Sequence, residues 1–212
     1  MYFLIIAQIP LFFWLSYLMA FLSSIWIDTL YRKNCAILSF PDRQFERAKF
    51  RQILLTIAFT TLFCYLSQMT SIVIFTLRFI VAAFLLLIIC TDFEQQVIFD
   101  KMLLYFACFS LLPIFFQLSN AIDCVIAAFG GGLCFFLLSV LTHGGIGGGD
   151  IKLIFTLGLW LGIINLILVI LIGFLLGGIA AIFLCLARQK NRKAYFAYGP
   201  YFALPALLFY IL

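Results

Sequence analysis

Apolar residues extend along almost the whole chain and are interrupted only by short polar or glycine-rich breaks. A helix needs about 20 apolar residues to cross the hydrocarbon core of a bilayer, so each stretch between two breaks is a candidate membrane span. The breaks leave eight apolar segments, at approximately residues 3–27, 52–68, 71–91, 102–118, 122–142, 151–164, 166–187 and 198–212. The pattern therefore predicts an all-α integral membrane protein with about eight transmembrane helices.

Composition supports a membrane protein and excludes a soluble domain. The 212 residues are 67% hydrophobic and only 10% charged, and no polar stretch is long enough to fold alone. We therefore expect a single membrane-embedded domain over residues 1–212, surrounded by membrane lipid. The net charge of +5 would suggest a nucleic-acid partner in a soluble protein. Here the basic residues border apolar segments, where orientation in the bilayer explains them, so no nucleic-acid partner is expected.

The basic residues also predict the orientation. Twelve of the thirteen Lys and Arg residues lie in or beside the connections after the first, third, fifth and seventh segments, and none lies in the other connections. By the positive-inside rule, the first set of connections faces the cytoplasm, and both termini then lie on the outer, periplasmic side. The first of these connections, about residues 32–51, is predicted to be a short cytoplasmic loop.

Acidic residues at the predicted cytoplasmic ends are candidates for chemistry. Asp92, Glu94 and Asp100 follow the third segment, and Asp150 follows the glycine run GGIGGG, residues 144–149. An unpaired charge at the centre of a bilayer costs about 2.5–3.5 kcal/mol, so acids at these borders need a reason. Glu94 and Asp100 fit ordinary solvated loop charges. The glycine run allows positive φ angles and the approach of an extended peptide, but a flexible turn, an anion-binding nest or a broken transporter helix also fits it.

Four motifs give the chain a resemblance to a known family. The stretch GIGGGDIKL, residues 145–153, resembles the GxGD motif of the type IV prepilin peptidases, which are membrane aspartic proteases. The stretch TDFEQQVIFD, residues 91–100, is similar to that family's first aspartate motif, although Phe99 stands where proline is usual. FAYGPYFALP, residues 196–205, and FLSSIWIDTLYR, residues 21–32, resemble the family's late Gly-Pro segment and the end of its first helix.

The resemblance implies an aspartic active site. Asp92 and Asp150 would be the catalytic residues, at the cytoplasmic ends of two membrane helices. Two carboxylates that share a small site cannot both ionise easily, so one holds a proton while the other takes a proton from the attacking water. Neither a metal nor another cofactor is then needed. The residues expected to support the pair or to bind substrate are Gly147, Gly148, Gly149, Lys152, Glu94 and Asp100.

The resemblance also implies a substrate and a compartment. A prepilin or pseudopilin would place its short basic leader in the cytoplasm and its hydrophobic helix in the bilayer. The leader would be removed at the cytoplasmic border of the bacterial inner membrane.

One feature of the family is missing from this chain. Many members hold zinc through two CxxC pairs in the first cytoplasmic region, and they also methylate the new N-terminus with S-adenosylmethionine. The stretch from Tyr31 to Gln52 contains only Cys35 and no His, so that zinc site is absent. Methylation is therefore an open second activity, with no residues assigned to it.

Two other functions fit the same residues. A small transporter or ion-conducting protein would use the membrane-border carboxylates as a relay for protons or cations, and the glycine run as the break in a helix. A non-catalytic assembly factor would bind pilin helices without cutting them. Cleavage that depends on Asp92 and Asp150 separates the peptidase from both. The sequence leaves the oligomeric state open.

Overall fold

The computed structural model of the chain describes residues 2–40, 47–68, 71–116, 118–186 and 198–211. All regular structure in these residues is helical, in agreement with the all-α fold expected from the sequence. A short 3-10 helix at Cys35–Ile37 lies between the first two α-helices. The α-helices of the described residues are α1 (Tyr2–Lys33), α2 (Ala48–Leu66), α3 (Ile72–Gln95), α4 (Asp100–Phe109), α5 (Leu111–Phe115), α6 (Ala121–Leu141), α7 (Gly148–Leu186) and α8 (Gly199–Ile211).

Several of these helices suit a bilayer. Five described stretches are long and apolar enough to cross a membrane, whereas α8 is apolar but has only 13 residues. Many large apolar side chains are exposed on α1, α2, α3, α6 and α7, a surface that lipid but not water accommodates. The chain is therefore a multi-pass helical membrane protein. The number of eight crossings and the outer position of the termini stay predictions. The five stretches are Pro10–Lys33, Ala48–Leu66, Ile72–Gln95, Ala121–Leu141 and Gly148–Phe183.

The last long helical stretch, α7, has 39 residues and contains a break between two helices, as predicted. The segments 151–164 and 166–187 are expected to be two helices, and two helices do meet inside α7, at the non-helical residue Gly162 close to the predicted junction. Gly162 adopts φ 72° and ψ −177°, and a Cβ atom there would overlap the Asp123 carboxylate. An oxygen of Asp123 accepts a hydrogen bond from the Ile163 N–H at 3.2 Å. A side chain of α6 thus satisfies a donor that the break exposes, which hydropathy alone does not reveal.

The first loop has different bounds in the structure from those predicted. Helix α1 continues to Lys33 and α2 begins at Ala48, so the connection is shorter than the predicted 32–51, and residues 41–46 lie outside the described part of the chain. Arg51, which the charge count placed with the loop, lies in the first turn of α2 and is only 1% exposed. Hydropathy cannot show this burial, because it depends on acidic partners in other helices.

The helices pack into two adjoining hydrophobic cores. Helices α1 and α2 form one core with α3 and α4, and helices α6, α7 and α8 form the other with the same two helices. Helices α6 and α7 approach closely at Gly158, where a Cβ atom would lie 2.5 Å from the backbone of Ala128. Helix α3 also packs against α8. The end of α3 is thereby held beside the start of α8.

Candidate active site

Three helix ends meet where the acidic motifs lie. Asp92 is in the last turn of α3, Asp150 is in the first turn of α7, and Gly199 begins α8. The Ile98 side chain packs against Gly149, the neighbour of Asp150, and against Gly199, which touches Asp92, so the two acidic residues lie beside one shared side chain. Residues far apart in the sequence are therefore brought into one site.

Asp92 is enclosed by the protein. Its side chain belongs to a residue that is 4% exposed, and its Oδ2 is a buried atom without a hydrogen-bond partner among the described residues. A Cβ atom added at Gly199 would lie 2.5 Å from this oxygen, so the α8 backbone touches the carboxylate. Helix α3 ends just beyond, at Gln96, which adopts a left-handed conformation with φ 55° and donates its N–H to the Asp92 carbonyl at 2.9 Å. A buried oxygen without a protein partner is a natural position for water or substrate to bind.

Asp150 lies at the start of a helix, whereas Asp92 lies at the end of one. Asp150 is 8% exposed, and its own N–H donates to the carbonyl of Gly147 at 3.1 Å. The free N–H groups at the start of α7 favour a negative charge at this position. The backbone of Gly147 also lies beside its side chain, because a Cβ atom there would be 3.3 Å from Oδ2. The helix start therefore holds this carboxylate in place.

The glycines before Asp150 differ from one another in backbone conformation. Positive φ angles occur at His143 and Gly144, not at residues 147–149, and Gly148 and Gly149 are already helical. The positive φ angle that the glycine run allows is thus adopted at Gly144, the first residue of the run. Gly149 provides room instead, because a Cβ atom there would lie 3.2 Å from Cβ of Ile98. Gly148 has open space around it.

Ile98 holds the site together from the connection between α3 and α4. A Cβ atom at Gly199 would lie 2.9 Å from its Cδ1, so its side chain packs against the start of α8 as well as against Gly149 of α7. Ile98 is 9% exposed. Sequence reasoning missed both Ile98 and Gly199 as site residues, although both lie inside the quoted motifs. Neither carries a polar side chain, and only polar residue types mark a site in the sequence.

Lys152 and Asp100 pair with each other. The Lys152 Nζ lies 2.7 Å and 2.8 Å from the two carboxylate oxygens of Asp100, and both side chains are exposed. They stand at one end of an apolar groove of about 710 Å³ between α4, α6 and α7. The Lys152 ammonium thus donates two hydrogen bonds to Asp100, which lies outside the pair that Lys152 was expected to support.

Glu94 is part of a buried network, and its interpretation as a solvated loop charge was wrong. It accepts hydrogen bonds from Arg51 Nη1 at 2.6 Å and from the Tyr31 hydroxyl at 2.8 Å. Arg51 also donates to Asp28 at 2.5 Å and to the Ser24 hydroxyl at 2.8 Å. The network joins α1, α2 and α3 two residues beyond the catalytic candidate of α3. It anchors the turn that carries that candidate.

Replacement of Arg51 by Met should destabilise the protein strongly. The change leaves two carboxylates, of Glu94 and Asp28, without their buried cation, and breaking a buried ion pair costs about 3–5 kcal/mol. The matched control is Lys152→Met, which removes an exposed ion pair worth about 0–1 kcal/mol. Thermal unfolding in detergent measures both. Equal stability losses in the two variants would contradict the anchoring role of the buried network.

The first motif departs from the family pattern at Phe99, where proline is usual. The backbone of Phe99 nevertheless has a conformation that proline could adopt. It precedes α4 with φ −80°, close to the φ of about −65° that a proline ring imposes. Its ring packs against Tyr31, with 5.8 Å between the ring centroids. The missing proline is thus replaced by an aromatic contact to α1.

No group of three or more His, Cys, Asp or Glu residues that could hold a metal ion is found within the described ranges. The sequence-based expectation that the reaction needs no metal or other cofactor stays a prediction.

Comparisons with known proteins bear on the region that contains this site. A model of the type IV leader peptidase family matches residues 79–182, which include both Asp92 and Asp150. The prepilin leader peptidase/N-methyltransferase of Bacillus subtilis (strain 168) is 26% identical over 128 residues, 60% of this chain and 52% of that protein. The chain thus spans about half the length of this curated relative. No solved structure matches the chain. The family match and the relative together support a place for the chain in the type IV leader peptidase family.

Proposed function

We propose that the protein is an aspartic endopeptidase whose catalytic residues are Asp92 and Asp150. The observation that carries the proposal is the meeting of two buried carboxylates, 4% and 8% exposed, at three helix ends. One of them has a buried oxygen without a hydrogen-bond partner among the described residues. The family match supports a protease, and the paired carboxylates favour the aspartic class.

The reaction needs one ionised and one protonated carboxyl group. The ionised group takes a proton from a water molecule as the water oxygen attacks the peptide carbonyl, and the protonated group stabilises the developing oxyanion. When the C–N bond breaks, the proton passes to the leaving amine, and the second product is a carboxylic acid. A helix N-terminus lies beside each group, because Asp150 is in the first turn of α7 and Gly199 at the start of α8 touches Asp92, so either carboxyl group can be the ionised member.

The substrate is proposed to be a prepilin or pseudopilin that loses its basic leader at the cytoplasmic face of the bacterial inner membrane. Three observations support this. The B. subtilis relative is named a prepilin leader peptidase. The site lies at the same end of the helices as Arg32 and Lys33, which end α1, and Lys152, which is near the start of α7. Basic residues favour the cytoplasmic side. The apolar groove beside Lys152 and Asp100 opens close to the same end.

Incubation of the purified protein with a prepilin, followed by mass measurement of the product, tests the proposal. The proposal predicts loss of the leader at one peptide bond. Retention of the intact prepilin by a folded protein would contradict it. The mass of one additional methyl group on the product would report the N-methylation that the name of the relative includes.

A transporter is the second candidate, because the break at Gly162 beside Asp123 resembles the discontinuous helices of transporters. Twelve residues separate the break from Asp150, which is about 18 Å along an α-helix, so the break and the acidic pair form separate sites. A transporter would conduct protons or cations in liposomes and leave prepilins uncut. The peptidase proposal predicts the reverse.

A further inference from the structure

A second cavity, smaller than the groove beside Lys152, lies between α6, α7 and α8. It has a volume of about 250 Å³, and apolar groups form most of its wall. This volume is below the roughly 300–1,000 Å³ of pockets that hold drug-sized molecules, so it suits a single side chain. Its lining residues are Phe135, Leu138, Thr142, Gly145, Ile146, Phe174, Tyr198 and Phe202.

The cavity is continuous with the backbone that touches both catalytic candidates. Ile146 lines it and directly precedes Gly147, the residue beside the Asp150 carboxylate. Tyr198 lines it on the other side and directly precedes Gly199, which touches Asp92. A peptide that places its scissile bond between the two carboxylates therefore has a neighbouring side chain within reach of the cavity.

The walls of the cavity are aromatic and mutually packed. The Phe135 ring lies 5.4 Å from that of Phe202 and 5.6 Å from that of Phe174, and the Tyr198 ring stacks on Phe202 at 6.2 Å. Such packed rings keep a fixed shape and favour an aromatic or large aliphatic guest. The Ile146 side chain itself packs against the core, and its carbonyl accepts a hydrogen bond from the Ser139 hydroxyl at 3.0 Å. The isoleucine inside the glycine run is thus fixed as part of the wall.

We propose that this cavity is a specificity pocket that binds one large apolar side chain of the peptide substrate, next to the scissile bond. The proposal rests on the proposed peptidase function. A lipid acyl chain is the alternative guest. A peptide side chain is favoured because two of the lining residues directly precede the glycines that contact the carboxylates, a position that has no significance for a lipid.

Substrate selectivity tests the proposal. Two pairs of prepilins are compared. In the first pair the residue before the scissile bond is either large and apolar or Ala, and in the second pair the residue after the bond is varied in the same way. The wild-type protein should cleave the large version with the higher kcat/KM at one of these positions. Leu138→Trp narrows the pocket and should reduce that preference about tenfold or more, because side-chain pockets discriminate by factors of about 10 to 200 per methylene. Leu137→Trp is the matched control, on the exposed face of α6, and should keep the preference.

A second variant makes the test independent of how well the first one folds. Phe174→Ala widens the pocket. This variant should cleave a substrate that carries Trp at that position with a higher kcat/KM than the wild-type protein does. Unchanged selectivity in both Leu138→Trp and Phe174→Ala, with cleavage intact, would overturn the pocket and leave the peptidase proposal standing. An equal rate loss for large and small substrates would also overturn it and favour a lipid guest. Absence of cleavage of every substrate by folded wild-type protein would overturn both proposals.

Discussion

Asn in place of Asp92, or in place of Asp150, should lower the rate of leader cleavage at least about 10³-fold, since positioned general acid–base groups contribute about 10²–10⁴ each. The amide has nearly the shape of the carboxylic acid, so it fits the same buried position. It can neither take a proton from water nor donate one to the leaving amine. Both residues are buried, so no neighbouring solvent-exposed group replaces the missing function.

The matched control for this prediction is Asp100→Asn. Asp100 belongs to the same sequence motif as Asp92, but it is exposed and pairs with Lys152. Loss of an exposed ion pair changes stability by only about 0–1 kcal/mol, so cleavage should continue. Initial rates of product formation, measured by mass on equal amounts of folded protein, compare the three variants. Cleavage at the wild-type rate by either of the buried Asp variants would contradict the assignment.

Gly199→Ala should lower the cleavage rate by about 10²-fold, because a displacement of roughly 1 Å at a reacting group has an effect of that size. The added Cβ atom would lie 2.5 Å from Oδ2 of Asp92 and 2.9 Å from Cδ1 of Ile98. Real atoms do not approach so closely, so the carboxylate or the start of α8 must move. The protein should still insert and fold, because the clash is confined to the Asp92 carboxylate and to the end of one core side chain, that of Ile98.

Gly148→Ala provides the control for this second prediction. Gly148 lies in the glycine run two residues before Asp150, has no atom within 4 Å of an added Cβ, and is already helical. Alanine has a higher helix propensity than glycine, so this variant should keep both its activity and its stability. Kinetic and thermal measurements on the two variants separate a local geometric effect from a general effect of losing glycine. Equal activity of the two variants would show that the contact between Gly199 and Asp92 is unimportant.

The sequence predicts the helices well because hydropathy depends on each segment alone. Apolar segments mark the positions of the described helices, and the exposed apolar surface agrees with a lipid environment. The side-chain contact at the break in α7 could not be predicted in the same way. It depends on the Asp123 carboxylate of another helix, which accepts a hydrogen bond from the Ile163 N–H. Arg51 was misplaced for the same reason, since its burial depends on acids of α1 and α3.

In the site, too, some residues can be recognised from their own motif, whereas the roles of others depend on contacts with other helices. Asp92 and Asp150 could be named from their motifs, because each is an acidic residue at the end of an apolar segment. The roles of Gly149 and Gly199 could not, because their small size matters only when Ile98 and a carboxylate are packed against them. Glu94 was misjudged because its partners lie in α1 and α2. Chemistry-bearing residue types are visible in a sequence, whereas the contacts that position them are not.

The most direct test of the central claim compares the double variant Asp92→Asn/Asp150→Asn with the two single variants, as rates of leader loss over long incubations. Two groups that act as one catalytic unit lose their function together, so the double variant should be no slower than the slower single variant. Rate losses that multiply in the double variant would show that the two residues act independently. Rapid cleavage by either single variant would show that the pair is not the catalytic centre.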